Sequence, residues 1–495
     1  MYYVSTRNSK HKRPVSEAIA QGLAYDGGLF TPELLFKLSP NALDTMLDMS
    51  YQQRAVYVMK PYLDGFSTSE VAAFAQAAYG NQKFDVKEVA PVRKVDSNTY
   101  SLELWHGPTC AFKDMALQML PHLLTASLQK NAEQKTACIL VATSGDTGKA
   151  ALEGFRDVEQ TRILVFYPKD GVSEIQELQM LTQAGDNVGV CAVQGNFDDA
   201  QTGVKRLFSD EILRDTLAAQ GYFFSSANSI NWGRVLPQIV YYVSAYCDLL
   251  REGRIAKGQA VNVCVPTGNF GDILAAYYAK EMGVPLGRLI CASNKNNVLT
   301  DFINTGVYDK NRAFYNTISP SMDILISSNL ERMLFEFSGH NGEQVQSYMD
   351  LLVREGWYEV SQDIKSKFQK HFAAGYCDDA QAKATIAKLW SDSRYLADPH
   401  SAVAFHVLEQ YRAETGDNIP AIVVSTASPF KFCADVLDAL GEKKIAQGTA
   451  VIDQLTQYTG VQAPASLAAL KDRAVRFDQT TSREGMVNVV LGFLS

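Results

Sequence analysis

The chain has 495 residues, a formal charge of −8, 46% hydrophobic and 20% charged residues, 33 glycines and 16 prolines. That length holds roughly two to four domains of ~150 residues, and the composition is that of a folded globular protein, not a disordered, fibrous or disulfide-stapled one. Scattered lysine and arginine within an acidic total exclude an extended nucleic-acid partner, and no apolar run reaches membrane-spanning length, so neither nucleic acid nor membrane is an expected partner.

Residues 1–92 read as a mostly helical N-terminal domain. DGGLFTPE (26–33) is turn-rich, a helix is expected near 40–50, and SEVAAFAQAAYG (69–80) has helical spacing. The basic run from Arg7 to Arg13 reads as a surface arm. No signal-peptide core precedes it, and a cytoplasmic location is the expectation. The stretch 105-WHGPTCAFKDMALQ-118 sets Lys113 between a rigid Gly-Pro turn and the first turn of a helix, enclosed by Cys110, Ala111, Phe112, Met115, Ala116 and Leu117.

From residue 135 short β-branched runs alternate with helical stretches: ACILVAT (137–143), TRILVFYP (161–168) and VGVCAV (188–193) are each followed by a helix-like segment. Continuous apolar strands alternating with helices predict a parallel sheet buried on both faces. A second series comprises VNVCV (261–265), RLICAS (288–293) and the strand opening AIVVSTASPFKF at 421. The expected fold class is therefore α/β with two parallel-sheet lobes. The first spans 93–255 and carries Lys113; the second spans 256–440 and holds a helical insertion near 325–395; a tail, 441–495, ends in the strand-like run VNVVLGFL. The eight cysteines show no CxxC pair and no zinc-site spacing, which predicts buried free thiols and no metal.

In open α/β sheets ligands bind where strand ends meet helix starts. TSGDTGKAA (143–151) and PTGNFGDI (266–273) both lie there. Glycine permits the tight turn, and the amides at the helix start are preset for an anionic group; for the first run an ordinary capped turn is the alternative. The second run is neither GxxxxGK[ST] nor GxGxxG, which points to a small ligand with one phosphate, not a nucleotide. Hydroxyls at Ser425, Thr426 and Ser428 stand at a third strand end, able to cap a helix or to face a ring nitrogen. A lysine becomes a nucleophile when desolvation lowers its pKa and a carbonyl is held near it. Lys113, the glycine turn and the hydroxyls together point to pyridoxal phosphate, whose ring stabilises a carbanion.

WHGPTCAFKD, TSGDTGKAA, SANSINWGR (226–234), PTGNFGDI, ISPSMDILISSNLERMLFE (318–336), DPHSAVAF (398–405) and STASPFKF occur in the order seen in the threonine synthases, which the chain resembles over nearly its whole length. The resemblance implies the tryptophan synthase β-subunit-like fold, the fold type II of pyridoxal phosphate enzymes. It also implies conversion of O-phospho-L-homoserine and water to L-threonine and phosphate; a monomer or homodimer is expected. By the motifs, Lys113 resembles the Schiff-base lysine, and Gly268, Asn269, Phe270, Gly271 and Asp272 the cofactor phosphate site. Thr426 corresponds to the partner of the pyridine nitrogen, and Asp146 to a group near the ring hydroxyl. Ser144 and Thr147 are expected at the substrate carboxylate, and Asn228, Ser229, Asn231 and Arg234 at the leaving phosphate. Where relatives commonly read TAHPAKF, this chain has Ser428 in place of the histidine. A phospho-lyase that releases a keto acid and a non-catalytic binding relative are the alternatives.

Overall fold

Runs such as Thr136–Ala142 and Thr161–Pro168 carry apolar side chains at successive positions, a pattern that is stable only in a strand covered on both faces. Both are central strands in the computed structural model, which describes residues 1–10, 12–80, 82–169 and 171–495. The smaller of its two main sheets has the order Thr480–Thr481, Val188–Val193, Thr161–Pro168, Thr136–Ala142, Tyr222–Ser225, all parallel. The larger has the order Phe372–Tyr376, Leu286–Ser293, Val261–Pro266, Ala421–Ser425, Thr99–Glu103, Val92–Lys94, parallel except for its last strand.

Sheet membership departs from a lobe boundary at residue 93. Thr99–Glu103 lies beside Ala421–Ser425, so the strand that leads to Lys113 belongs to the larger sheet. Pairing across some 320 positions leaves no mark on local sequence. The segment near 325–395 is helical over Leu330–Phe337, Gly342–Arg354, Gln362–His371 and Asp379–Ser393, yet it also supplies the edge strand Phe372–Tyr376 and is thus part of the sheet. The apolar C-terminal run is a helix, Met486–Leu494, not a strand. Its buried residues Met486, Val489, Val490 and Leu494 follow helical spacing and pack against the smaller sheet's layer.

The N-terminal region contains the helices Val15–Gln21, Ala42–Met46, Tyr51–Met59 and Thr68–Tyr79, together with a three-stranded antiparallel sheet of Tyr2–Ser5, Lys12–Pro14 and Phe30–Pro32. The basic run is consequently no free arm. Arg7 donates from Nε and Nη2 to the two carboxylate oxygens of Glu331, each at 2.9 Å, and Lys12 pairs with Glu33; His11 lies outside the described residues.

A 20-residue helix, Trp232–Arg251, is buried along almost its whole length. Asn231 starts it by accepting from the Gly233 amide, the usual way to satisfy an orphan donor at a helix N-terminus. Its first residue, Trp232, is fully buried among Tyr3, Tyr62 and Tyr278, with ring centroids 5.6, 6.0 and 5.7 Å away. One indole thus joins the N-terminal sheet to the helix beside the second glycine turn. Among the described residues no helix is long and apolar enough to cross a membrane, and the eight cysteines are free and buried. Trp232→Ala is expected to destabilise the fold by about 3–5 kcal/mol, read as a drop in the denaturant midpoint.

Candidate active site

Lys113 is placed by backbone pairing. Residues 110–112 lie antiparallel to 426–428: the Phe112 amide donates to the Thr426 carbonyl at 2.8 Å and the Ser428 amide to the Cys110 carbonyl at 3.0 Å. The turn that permits this holds Cys110 at φ 59, a left-handed conformation that is uncommon outside glycine. Asp114 closes the turn by accepting from the Thr109 amide and hydroxyl, both at 2.8 Å. Lysine and hydroxyl, 313 positions apart, therefore flank one short antiparallel bridge.

The Lys113 ammonium is 8% exposed and lies 3.6 Å from Asp146 Oδ2 and 3.3 Å from Ser321 Oγ. Burial lowers its pKa; Asp146 opposes that, while Arg234 and Lys431 push the same way as burial. Asp146 is held by Gln176 Nε2 at 2.8 Å and by the fully buried Lys431 at 3.1 Å. Burial raises its pKa, but the Lys431 and Lys113 charges prevail and hold the carboxyl well below the usual range. Lys431 also donates to the Thr109 carbonyl at 2.9 Å and to Gln179 Oε1 at 2.7 Å. A carboxylate between two ammonium groups leaves the pocket net positive, the sign that suits phosphate ligands.

The two glycine turns face this ion set across one cavity of about 1340 Å³, whose wall includes Lys113, Ser144, Asp146, Thr147, Asn228, Ser229, Arg234, Thr426 and residues 266–272. In the first turn Gly145 adopts φ 121, and a Cβ there would come within 2.7 Å of Gln176. Thr143 Oγ1 accepts from the amides of Gly145 and Gly148 at 3.0 and 2.8 Å, so two donors of this turn are used internally. Ser144 and Thr147 remain on the cavity wall. In the second turn the helix Gly271–Met282 starts at Phe270, φ 62. A Cβ on Gly268 would sit 2.5 Å from the Ser321 carbonyl, which explains the glycine. The Phe270 ring turns into the core against Phe372, so this residue offers the cavity its backbone alone.

Two expected residues behave differently. Asn231 is buried, donates to the Ile19 carbonyl at 3.0 Å and caps the long helix; its amide is spent on structure, and it is not on the cavity wall. Asp272 turns toward the helix beneath it, where Oδ1 accepts from the hydroxyls of Tyr241 and Tyr242, both at 2.5 Å. Burial pushes its pKa up to about 6 against those hydroxyls and Lys113. Ser428 is buried and caps the turn Pro429–Lys431 by accepting from the Phe430 amide.

Sequence reasoning passed over Lys431, Gln176, Ser321, Asn329 and His400. Four of these stand inside motifs quoted for the family resemblance, and Lys431, Gln176, Ser321 and His400 each have a partner in a distant segment. Asn329 is braced at Oδ1 by Arg332, and its Nδ2 has no protein partner and lies 3.3 Å from where a Gly271 Cβ would be. Arg234 donates from Nη1 to the Ala227 carbonyl at 2.6 Å, while its Nε is buried without a partner; burial lowers its pKa to about 10. Buried donors without acceptors beside a helix N-terminus fit an anionic group.

Two parallel sheets, a buried lysine and a glycine turn that opens a helix are the parts of a pyridoxal phosphate-dependent enzyme, and residues 90–427 match the family profile described by that name. Residues 2–79 match "Threonine synthase N terminus" and residues 401–490 "Threonine synthase, C-terminal". The chain is 38% identical to the threonine synthase of Pseudomonas aeruginosa over 433 residues, 87% of this chain and 89% of that protein. It is 41% identical over 440 residues, 87% of this chain, to human "Threonine synthase-like 1", of whose length it spans 58%. The pyridoxal phosphate-bound threonine synthase of Brucella melitensis superposes with a TM-score of 0.87 at 36% identity, covering 100% of this chain and 98% of that one. The yeast threonine synthase gives 0.88 at 32%, with the same coverage. The chain belongs to the threonine synthase family, lyases whose cofactor is pyridoxal phosphate.

The Asp272 environment predicts a pH effect. A carboxyl whose pKa rises from 3.8 unfolded to about 6 folded binds its proton more tightly in the native state, so its contribution is present below pH 4 and lost as pH rises through 6. Relative to Asp272→Asn, the cofactor-free parent should therefore lose on the order of 3 kcal/mol between pH 4 and 7, measured by urea unfolding at each pH.

Proposed function

We propose that the chain converts O-phospho-L-homoserine and water to L-threonine and phosphate, the last step of threonine biosynthesis. What carries this reading is the Lys113 amine, buried 3.6 Å from Asp146 on the wall that also holds the glycine turn and Arg234. Arg234 has no carboxylate partner among the described residues, as expected of a guanidinium reserved for an anionic ligand.

Bound pyridoxal phosphate supplies an electron sink for charge developing at the substrate α-carbon. In this assignment Lys113 tethers the cofactor aldehyde through Nζ, and the backbone amides of Gly268, Asn269, Phe270 and Gly271 take its phosphate. Asp272 acts from below by anchoring the helix start to Tyr241 and Tyr242. The Thr426 hydroxyl is the neutral partner of the ring nitrogen, and Asp146 Oδ2 serves both Lys113 and the ring hydroxyl. When not engaged with the aldehyde, Lys113 Nζ would be placed to take the proton from the substrate α-carbon. Burial lowers its pKa, the direction that favours the neutral amine this task needs. Ser144 and Thr147 hold the substrate carboxylate at the other helix start, while Asn228, Ser229 and Arg234 receive the leaving phosphate. Arg234, 3% exposed, would meet that phosphate away from bulk water, which strengthens the charge interaction.

Borohydride reduction of the holoenzyme followed by peptide mapping should place one pyridoxyl group on the peptide containing Lys113 and none in Lys113→Ala; an adduct elsewhere refutes the assignment. With O-phospho-L-homoserine the expected product is threonine, and 2-oxobutyrate with ammonia would identify a phospho-lyase instead. Arg234→Ala should raise KM about tenfold or more, the loss expected for a charge-assisted bond, with cofactor content unchanged.

A further inference from the structure

His400 is 2% exposed and stands on the wall of the main cavity, at the second position of the helix Pro399–Thr415. Its Nδ1 lies 2.8 Å from Asp398 Oδ1, and its Nε2 accepts from the Ser321 amide at 3.2 Å. A carboxylate can only accept and a backbone amide can only donate, so the two contacts together select one form of the ring: neutral, with the proton on Nδ1. Asp398 is fixed in turn. It is fully buried and caps the helix by accepting from the amides of His400 and Ser401 at 2.9 and 3.3 Å and from the Ser401 hydroxyl.

The other end of this chain of contacts is Ser321. It sits in the short turn Pro320–Met322, where its hydroxyl donates to Asp146 Oδ2 at 3.4 Å and accepts from Lys113 Nζ at 3.3 Å. Its carbonyl is the atom that a Cβ on Gly268 would strike. The turn thus lies against the lysine, its counter-charge and the glycine loop together. Apart from the Met322 amide bond to Ser319 and the Asp323 amide bond to Pro320 within the turn itself, the His400 ring is what receives the Ser321 amide.

We propose that His400, oriented by Asp398, is a positioning residue for Lys113: by holding the Ser321 amide it keeps the Ser321 hydroxyl between the ammonium and Asp146. This rests on Lys113 being the lysine that binds the cofactor. The class of residue required at 400 is one that presents a hydrogen-bond acceptor at the position of Nε2; a positive charge there is not needed.

The test uses the full chain and three variants. His400→Phe keeps a planar ring without an acceptor, His400→Gln restores an acceptor at the Nε2 position, and Ser321→Ala removes the hydroxyl while retaining the amide. The readouts are the rate at which cofactor-free protein acquires the visible absorbance of lysine-bound pyridoxal phosphate, and kcat and KM with O-phospho-L-homoserine. Thermal midpoints are measured alongside. His400→Phe and Ser321→Ala should each slow cofactor capture and lower kcat about tenfold, the worth of one buried hydrogen bond, with KM changed less than about twofold. His400→Gln should recover at least half of the lost rate on a logarithmic scale. Capture at the parental rate in His400→Phe, or an equal loss in His400→Gln, overturns the proposal. If the parent itself carries its pyridoxyl adduct on a lysine other than Lys113, the underlying site assignment fails and this inference with it; a parental adduct on Lys113 with unaffected variants sinks the inference alone.

Discussion

The arrangement depends on one buried ion set, Lys113–Asp146–Lys431. Taking a charge out of water costs several kcal/mol per ion in a folded protein, and the cost is met only when partners are close and fully hydrogen-bonded. Each member here arrives from a different strand end: Lys113 after Thr99–Glu103, Asp146 after Thr136–Ala142, and Lys431 after Ala421–Ser425. Two of those strands belong to the larger sheet and one to the smaller. The ion set therefore works as a constraint between sheets, and Gln176, Gln179 and the Thr109 carbonyl complete it so that no charge is left bare.

Around that constraint the cavity wall divides by charge. The Lys113 end is net positive, and the second glycine turn adds a helix N-terminus, whose amides carry partial positive charge. Arg234 adds the same sign elsewhere on that wall. An acidic side chain would spoil such a surface, and Asp272 avoids doing so by turning to Tyr241 and Tyr242 with a raised pKa. The carboxyl at this helix start is thus met by two hydroxyl donors on the helix beneath it.

The parts legible in the sequence were those written locally. Continuous β-branched runs gave the parallel strands, and glycines at strand-to-helix junctions gave both turns, because backbone conformation and burial are decided within a few residues. The unread parts depend on distant pairing. Lys431 looks like an ordinary lysine until Asp146 is placed beside it; His400 needs Ser321; Phe372–Tyr376 is a strand because Leu286–Ser293 offers it an edge. Asn231 shows the converse: the family motif SANSINWGR suggested a ligand contact, but a residue one step before a buried helix is needed first as its cap. The C-terminal run was misread because β-branched content was weighed above its helical spacing. Ser428 for its part caps the turn Pro429–Lys431.

The short ladder between residues 110–112 and 426–428 bears on motion as well as geometry. Lys113, Thr426 and the 266–271 turn all hang from the larger sheet, whereas Asp146, Ser144 and Thr147 ride on the smaller one. Any hinge between the sheets would leave the first group internally unchanged and alter only its separation from the second. Domain closure in this architecture would then act as an electrostatic dial on the lysine, tightening its counter-charge as the Ser144 and Thr147 end of the cleft shuts.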